Sequence, residues 1–326
     1  MLQYLIVLLD DRSTSFCHYS IEKAVSNLMP LDVLKKGIVF AMKNNLMVQY
    51  VLPSSPLPIE YFEVLNTIDH HVIAPIDHAA CDILDSADVI VVNNIADVSK
   101  VNFVFGKSYV IRIAKNVLYD NCDVVKDILN KTDRLNVVIC DMEIFSSEDI
   151  VAYQQCLESL SDELVNLYSQ GRMPQLNLLT DRLFLDVMNN CGAGDSSITL
   201  APDGKYYICP AFYQAPTKSR TGIDNYYSVG DIDVGILIKN RQLYSLKNAP
   251  LCSMCDAFHC RRCVWINRMM TNEVHIPSRE QCIMAHVERN MSRKLLCDIR
   301  DKGSFLPEKE IKQIDYIDPF DVKPEW

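Results

Sequence analysis

Short apolar runs rich in β-branched residues recur along the first half of the chain, separated by segments with helical spacing. "YLIVLL" (4–9), "DVIVVNN" (88–94), "YVIRIA" (109–114), "LNVVICD" (135–141) and "LNLL" (176–179) are near-continuous in hydrophobicity. Parallel strands covered on both faces have that pattern. Residues 31–44 and 122–130 carry helical patterns between them. The clearest helix is predicted over 147–170. Ser146 and Asp149 form a capping box at its start, and Gly171 supplies the stop. Ile150, Tyr153, Leu157, Leu160, Leu164 and Leu167 repeat along it at three- and four-residue steps. Strand and helix in alternation predict an α/β layer or open barrel with right-handed crossovers.

The second half reads differently. "LAPDGKYYICP" (200–210) predicts two strands joined at Pro202-Asp203-Gly204, and 214–228 predicts a polar loop. A helix follows Pro277, capped by Ser278 and Gln281. The charged, proline-containing tail 304–326 predicts an extended or docked terminus.

Composition narrows the function classes. The 326 residues are 49% hydrophobic and 23% charged, a globular balance, and the net charge of −10 argues against a nucleic-acid partner. "MLQYLIVLLDDRS" lacks a positive leading region, and no apolar stretch reaches about 18 residues, so the expectation is a cytoplasmic protein with no membrane span. The first 170 residues contain only Gly37 and Gly106, which excludes a P-loop or a G-x-G-x-x-G turn there.

Cysteine locates the chemistry. Of thirteen, five (Cys17, Cys81, Cys122, Cys140, Cys156) are scattered over the first 160 residues and read as small buried apolar side chains, because a reducing cytosol disfavours disulfides. The other eight lie between Cys191 and Cys297. Cys252, Cys255, Cys260 and Cys263 fall in "CSMCDAFHCRRC", and two Cys-x2-Cys turns can close four thiolates on a zinc ion or an iron–sulfur cluster. Upstream, Cys191 and Cys209 bracket the hairpin. Downstream, Cys282 lies in a first helical turn, where the helix dipole favours negative charge. Seven cysteines exceed one zinc site and suit two metal centres. Cys297, after Leu295-Leu296, reads as core.

This pattern of Cys191, then Gly204-x4-Cys209, a tight four-cysteine group and a last Cys282 resembles the SPASM domain. "YSVGDI" (227–232) resembles the stretch that precedes that domain's four-cysteine group. The domain follows the catalytic barrel of many peptide-modifying radical S-adenosylmethionine enzymes and carries auxiliary [4Fe–4S] clusters. The resemblance implies one cluster on Cys252, Cys255, Cys260 and Cys282, and another on Cys191, Cys209 and Cys263. The spacing here is x2, x4, x2, where the family has x2, x5, x3.

The radical site itself is missing. After the first strand comes "DDRSTSFCHYS", with only Cys17, and no Cys-x3-Cys-x2-Cys or Gly-Gly pair occurs in the chain. No S-adenosylmethionine is therefore expected. With "CGAG" and "AHVERNMSR" (285–293), the chain resembles the CXXX repeat peptide maturases. That resemblance implies an accessory protein for a ribosomally made precursor peptide with Cys-x-x-x repeats, working with a separate radical S-adenosylmethionine maturase. The fold implied is α/β: a partial (β/α) barrel like a degenerate radical S-adenosylmethionine domain over 1–185, a small cysteine-rich SPASM-like metal domain over 186–300, and a tail over 301–326. The alternative is a zinc-stabilised peptide- or protein-binding scaffold without a redox role.

Neighbouring residues have plainer readings. His259 reads as a hydrogen-bond partner to a cluster sulfur, and Arg261 and Arg262 read as counter-charges or solvated surface. Cys17-His18 follows the first strand, but adjacent side chains on extended backbone diverge, so the structural reading is preferred there; Asp10 and Asp11, at the same strand end, fit either a capping role or a contact with substrate, and the sequence does not choose. For His286, Glu288 and Arg289, ion pairing along a helix face suffices.

Overall fold

The computed structural model describes residues 1–78, 81–215, 227–314 and 316–321. Most of the loop expected over 214–228, and the last five residues of the tail, lie outside them. Its strands are β1 (Tyr4–Leu8), β2 (Met47–Val51), β3 (His70–Pro75), β4 (Val89–Val92), β5 (Ser108–Ile113), β6 (Arg134–Ile139), β7 (Gln175–Leu176), β8 (Ser197–Leu200), β9 (Lys205–Tyr207), β10 (Ser228–Asp231) and β11 (Gly235–Ile236). The chain forms two compact units, Met1–Asn93 with Gly192–Ala249, and Asn94–Cys191 with Pro250–Trp326.

In the first unit the strand order is β11-β10-β9-β8-β1-β2-β3-β4. β1 pairs in parallel with both β2 and β8, and β2, β3 and β4 continue in parallel. The pairs β8–β9, β9–β10 and β10–β11 are antiparallel, starting from the predicted hairpin, whose turn Gly204 has φ 75°. β1 is buried from Leu5 onward, as a strand covered on both faces must be. Helix Leu31–Asn44 buries Leu34, Gly37, Ile38 and Ala41, one stripe at three- and four-residue spacing. A Cβ at Gly37 would stand 2.5 Å from Leu200 Cδ2, so glycine is what lets the helix approach β8. β2 and β3 were not evident in the sequence, because Gln49 interrupts one run and His70-His71 opens the other.

The chain leaves β1 through a polar, buried turn. Asp10 accepts from Arg12 N–H and Ser26 Oγ, each at 2.7 Å. Asp11 accepts from Asn27 Nδ2 at 2.7 Å and from the Tyr213 hydroxyl, while Gln214 Nε2 donates to the Asp11 carbonyl at 2.7 Å. Both carboxylates are therefore hydrogen-bonded within the protein.

In the second unit β5, β6 and β7 are parallel. Helix Ser147–Ser169 begins with the predicted capping box and buries Tyr153, Leu157, Leu160, Leu164 and Leu167. Each buried leucine contributes about 1.5–3 kcal/mol. Helix Arg279–Arg300 packs on it. The buried Lys115 ammonium lies 2.6 Å from Asp149 Oδ2, tying the capping box to the start of helix Lys115–Asp120. Burial pushes the Asp149 carboxyl up, but hydrogen bonds from Lys115 and Ser146 outweigh it and hold it below the usual value.

Two cysteine expectations are corrected here. Cys122 and Cys156 form a disulfide between helices Cys122–Leu129 and Ser147–Ser169, because the packed faces of those helices bring the two sulfurs together. Cys297 is exposed rather than core, since its position on helix Arg279–Arg300 turns away from Leu295 and Leu296, which are buried. Among the described residues, no helix is long and apolar enough to cross a membrane.

Candidate metal centre

The second unit carries six of the seven cysteines singled out. The loop 252–263 is folded by short turns, with Cys255 N–H donating to the Cys252 carbonyl at 3.2 Å and Cys260 N–H to the Ala257 carbonyl at 2.9 Å. Opposite runs helix Arg279–Arg300, whose cap Ser278 accepts from Gln281 N–H at 3.1 Å. Along it Cys282, His286 and Arg289 stand at i, i+4 and i+7, a single stripe. His286 Nε2 is 3.6 Å from Cys255 Sγ, and its Nδ1 is 2.6 Å from the Ile317 carbonyl. That partner makes Nδ1 the donor and leaves Nε2 as the acceptor in the neutral ring. Burial lowers the His286 pKa and keeps the ring neutral.

Cys252, Cys255, Cys260 and Cys282 are close enough to oppose one another's ionisation. Burial pushes Cys252 up to about 11 and Cys282 up to about 12, and Cys252 and Cys255 add to the rise at Cys282. Cys260 is raised well above the ordinary thiol value by burial, then by Cys252, Cys282 and Cys255. Backbone donors already point at the sulfurs. Ala257 N–H lies 3.4 Å from Cys255 Sγ, Arg262 N–H donates to Cys260, and Trp265 and Ile266 N–H donate to Cys263. Arg262 has φ 43°, and a left-handed residue in such a turn aims successive N–H groups at an anionic atom.

Cys263 and Cys191 form a second association. Burial raises the Cys263 thiol, and Cys191 raises it further. Residues 189–191 run along the cysteine loop: Asn189 N–H donates to the Phe258 carbonyl at 2.7 Å, Cys191 N–H to the Arg261 carbonyl at 2.9 Å, and Arg262 Nε to Asn190 Oδ1 at 2.9 Å. Cys209 belongs to the first unit, at the start of the short helix Pro210–Gln214. Among the described residues, no three His, Cys, Asp or Glu side chains converge on one metal-ion position.

Charged residues remote in sequence complete the site. Arg182 is 3% exposed and stacks on Phe258 at 4.3 Å, with Nη2 3.9 Å from Asp256 Oδ2. Its Nε and Nη1 are buried with no hydrogen-bond partner among the described residues. Arg289, 0% exposed, donates to Asp256 Oδ1 at 3.1 Å and to the Tyr316 carbonyl at 3.2 Å. Glu288 faces elsewhere: it accepts from the Tyr153 hydroxyl at 2.5 Å and lies 3.0 Å from His259 Nε2. Pairing along one helix face, the expectation for Glu288 and Arg289, is therefore replaced by buried pairing between elements. His259 meets a carboxylate rather than a sulfur. Arg262 is 1% exposed and Arg261 is exposed, so only the former is a counter-charge within the protein.

The seven cysteines and Arg262 were visible in the sequence, whereas Arg182 and Asp256 were not. Asp256 adjoins Cys255, which was the only local signal. Arg182 lies seventy positions upstream of the cysteine loop and carried none.

Solved structures share this fold. Histidine-tagged anSMEcpe with bound AdoMet superposes with a TM-score of 0.60 at 12% identity, covering 92% of this chain and 100% of that one. Native anSMEcpe with bound AdoMet and Kp18Cys peptide gives 0.56 at 13% identity, with coverage of 91% and 99%. The same protein with Cp18Cys peptide gives 0.55 at 12%, with coverage of 92% and 100%. The chain thus shares the fold of anSMEcpe. No family model matches it, and no curated protein matches it in sequence.

Proposed function

We propose that the chain is an accessory peptide maturase that holds auxiliary [4Fe–4S] clusters and relies on a separate enzyme for radical chemistry. The observation that carries the reading is the meeting of the cysteine loop with the helix that bears Cys282, where His286 Nε2 lies 3.6 Å from Cys255 Sγ and the Ala257 N–H 3.4 Å from the same sulfur. Cys252, Cys255, Cys260 and Cys282 would hold one cluster. Cys191 and Cys263 would contribute to a second. The donor chemistry fits, because thiolates are the ligands of such clusters and the orphaned Arg182 nitrogens call for negative charge.

When bound, a cluster supplies either an iron site for a substrate thiol or a one-electron relay. The chain's own residues do the rest. Buried thiols must release their protons to become ligands, and the N–H groups of Ala257, Arg262, Trp265 and Ile266 stabilise the sulfur charge that results. His286 fixes the position of Cys255.

The substrate proposed is a ribosomally made precursor peptide with Cys-x-x-x repeats, and the partner a radical S-adenosylmethionine maturase. Peptide is the ligand class favoured by fold, since two of the similar structures hold one. The division of the chain into 1–185, 186–300 and 301–326 is part of this proposal, as is a cytoplasmic location. The test is anaerobic purification followed by iron, sulfide and zinc analysis. The expectation is a brown protein with equal iron and sulfide. A colourless protein with stoichiometric zinc would overturn the cluster and leave the binding scaffold.

A further inference from the structure

We infer that Cys122 and Cys156 form a reversible thiol–disulfide clip, which fastens helix Cys122–Leu129 and one wall of a cavity when oxidised and loosens them when reduced. Neither cysteine belongs to the candidate metal centre, so the inference stands apart from the function proposed above.

The pair closes a series of three contacts between two segments of the second unit. Lys115 meets Asp149 at 2.6 Å, the Tyr119 and Tyr153 rings lie 6.3 Å apart, and Cys122 is bonded to Cys156. Both sides step by four and then three residues, the spacing that keeps side chains on one helical face. The third contact matters most, because the helix it starts is weak. Helix Cys122–Leu129 has eight residues, too few to be stable without tertiary contacts. Its N-cap residue, Asn121, makes no side-chain capping bond and donates instead to the Val117 carbonyl at 2.7 Å. The disulfide at the first residue therefore fastens a helix start that no cap secures. Val124, Asp127 and Ile128 of this helix line a cavity of about 500 Å³ together with Ile95, Val98 and Phe103, so the pair governs how firmly that wall is held.

The bond is also placed for exchange. Cys156 is 4% exposed, whereas Cys122 is half-buried and within reach of a small thiol. The Leu118 carbonyl lies 3.4 Å from Cys122 Sγ, an acceptor for the thiol proton once the bond is open. Closure is a two-electron oxidation by a small-molecule disulfide. The Cys122 thiolate attacks glutathione disulfide and releases one glutathione thiolate. The Cys156 thiolate then attacks Cys122 Sγ and releases the second. Two electrons pass from the cysteine pair to glutathione, and the two cysteine protons end on its two thiols.

The test treats the full chain with dithiothreitol or glutathione disulfide under native conditions, followed by acid quench, alkylation and peptide mass mapping. Cys122 and Cys156 are expected to switch together through repeated cycles, both alkylated after dithiothreitol and neither after glutathione disulfide. Hydrogen exchange across 122–129 should be about tenfold faster in the reduced chain. Cys122→Ser should exchange at that faster rate with or without oxidant. Alkylation of both cysteines after glutathione disulfide, or protection of both after dithiothreitol, would overturn the inference. So would a glutathione adduct left on Cys122, equal exchange rates in the two redox states, or a Cys122→Ser variant that still responds to oxidant.

Discussion

Two buried polar regions, one in each unit, are built on opposite terms. At the end of β1, both oxygens of Asp10 and of Asp11 accept hydrogen bonds from nearby donors. Around Cys255, Arg182 and Arg289 contend for Asp256, whose Oδ2 accepts no hydrogen bond among the described residues. A satisfied buried network is structure. An unsatisfied one, with excess charge of one sign beside groups that can take the other, marks a place for an occupant. Carboxylates commonly build functional sites, yet here they form the closed region and the thiols form the open one.

The contrast can be broken by removing the occupant's ligands. Cys260→Ala should abolish the iron bound by the four-thiol set, roughly half the total if two like clusters are present. Cys191→Ala should spare that set and cost only the other centre. Iron analysis of both variants decides this, and equal losses would end the division into two sets.

A smaller effect tests the charge deficit directly. Asp256→Asn removes the carboxylate that lies within 4 Å of both arginines, so the metal-free protein should lose about 3–5 kcal/mol in urea unfolding. Metal-loaded protein should lose much less, because the cluster is then a counter-ion. An equal loss in both forms would mean that the arginines do not sense the site.

The closed networks should behave as ordinary structure. Asp149→Asn weakens the Lys115 pair and is expected to cost about 2 kcal/mol at neutral pH. Because the folded-state carboxyl is held below its usual 3.8, that contribution is present above this pH and is lost as pH falls through the folded value. Wild type and variant should therefore converge in acid, and a gap that persists there would assign the effect to packing. Least of all, Tyr213→Phe removes one donor from Asp11 and should cost about 1 kcal/mol without changing metal content.

Legibility followed the range of the signal. Helix Ser147–Ser169 with its capping box, the β8–β9 hairpin, and β1, β4, β5 and β6 all lie where the pattern put them, because each is specified by residues within one or two turns of each other. β2 and β3 escaped because polar residues break their short runs. The Cys122–Cys156 disulfide escaped because its partners meet only when two helices pack.

The sequence by itself determined the longer and more strongly patterned elements, the excess of cysteine in the second half, and the lack of a radical-forming triad. Only the tertiary structure decided that His286 of helix Arg279–Arg300 reaches Cys255, that residues 189–191 run along the cysteine loop, and that two arginines pair with the carboxylate of Asp256. The reason is physical. Spacing specifies what can share a turn or a helix face, whereas burial and charge compensation depend on which distant segments the core draws together.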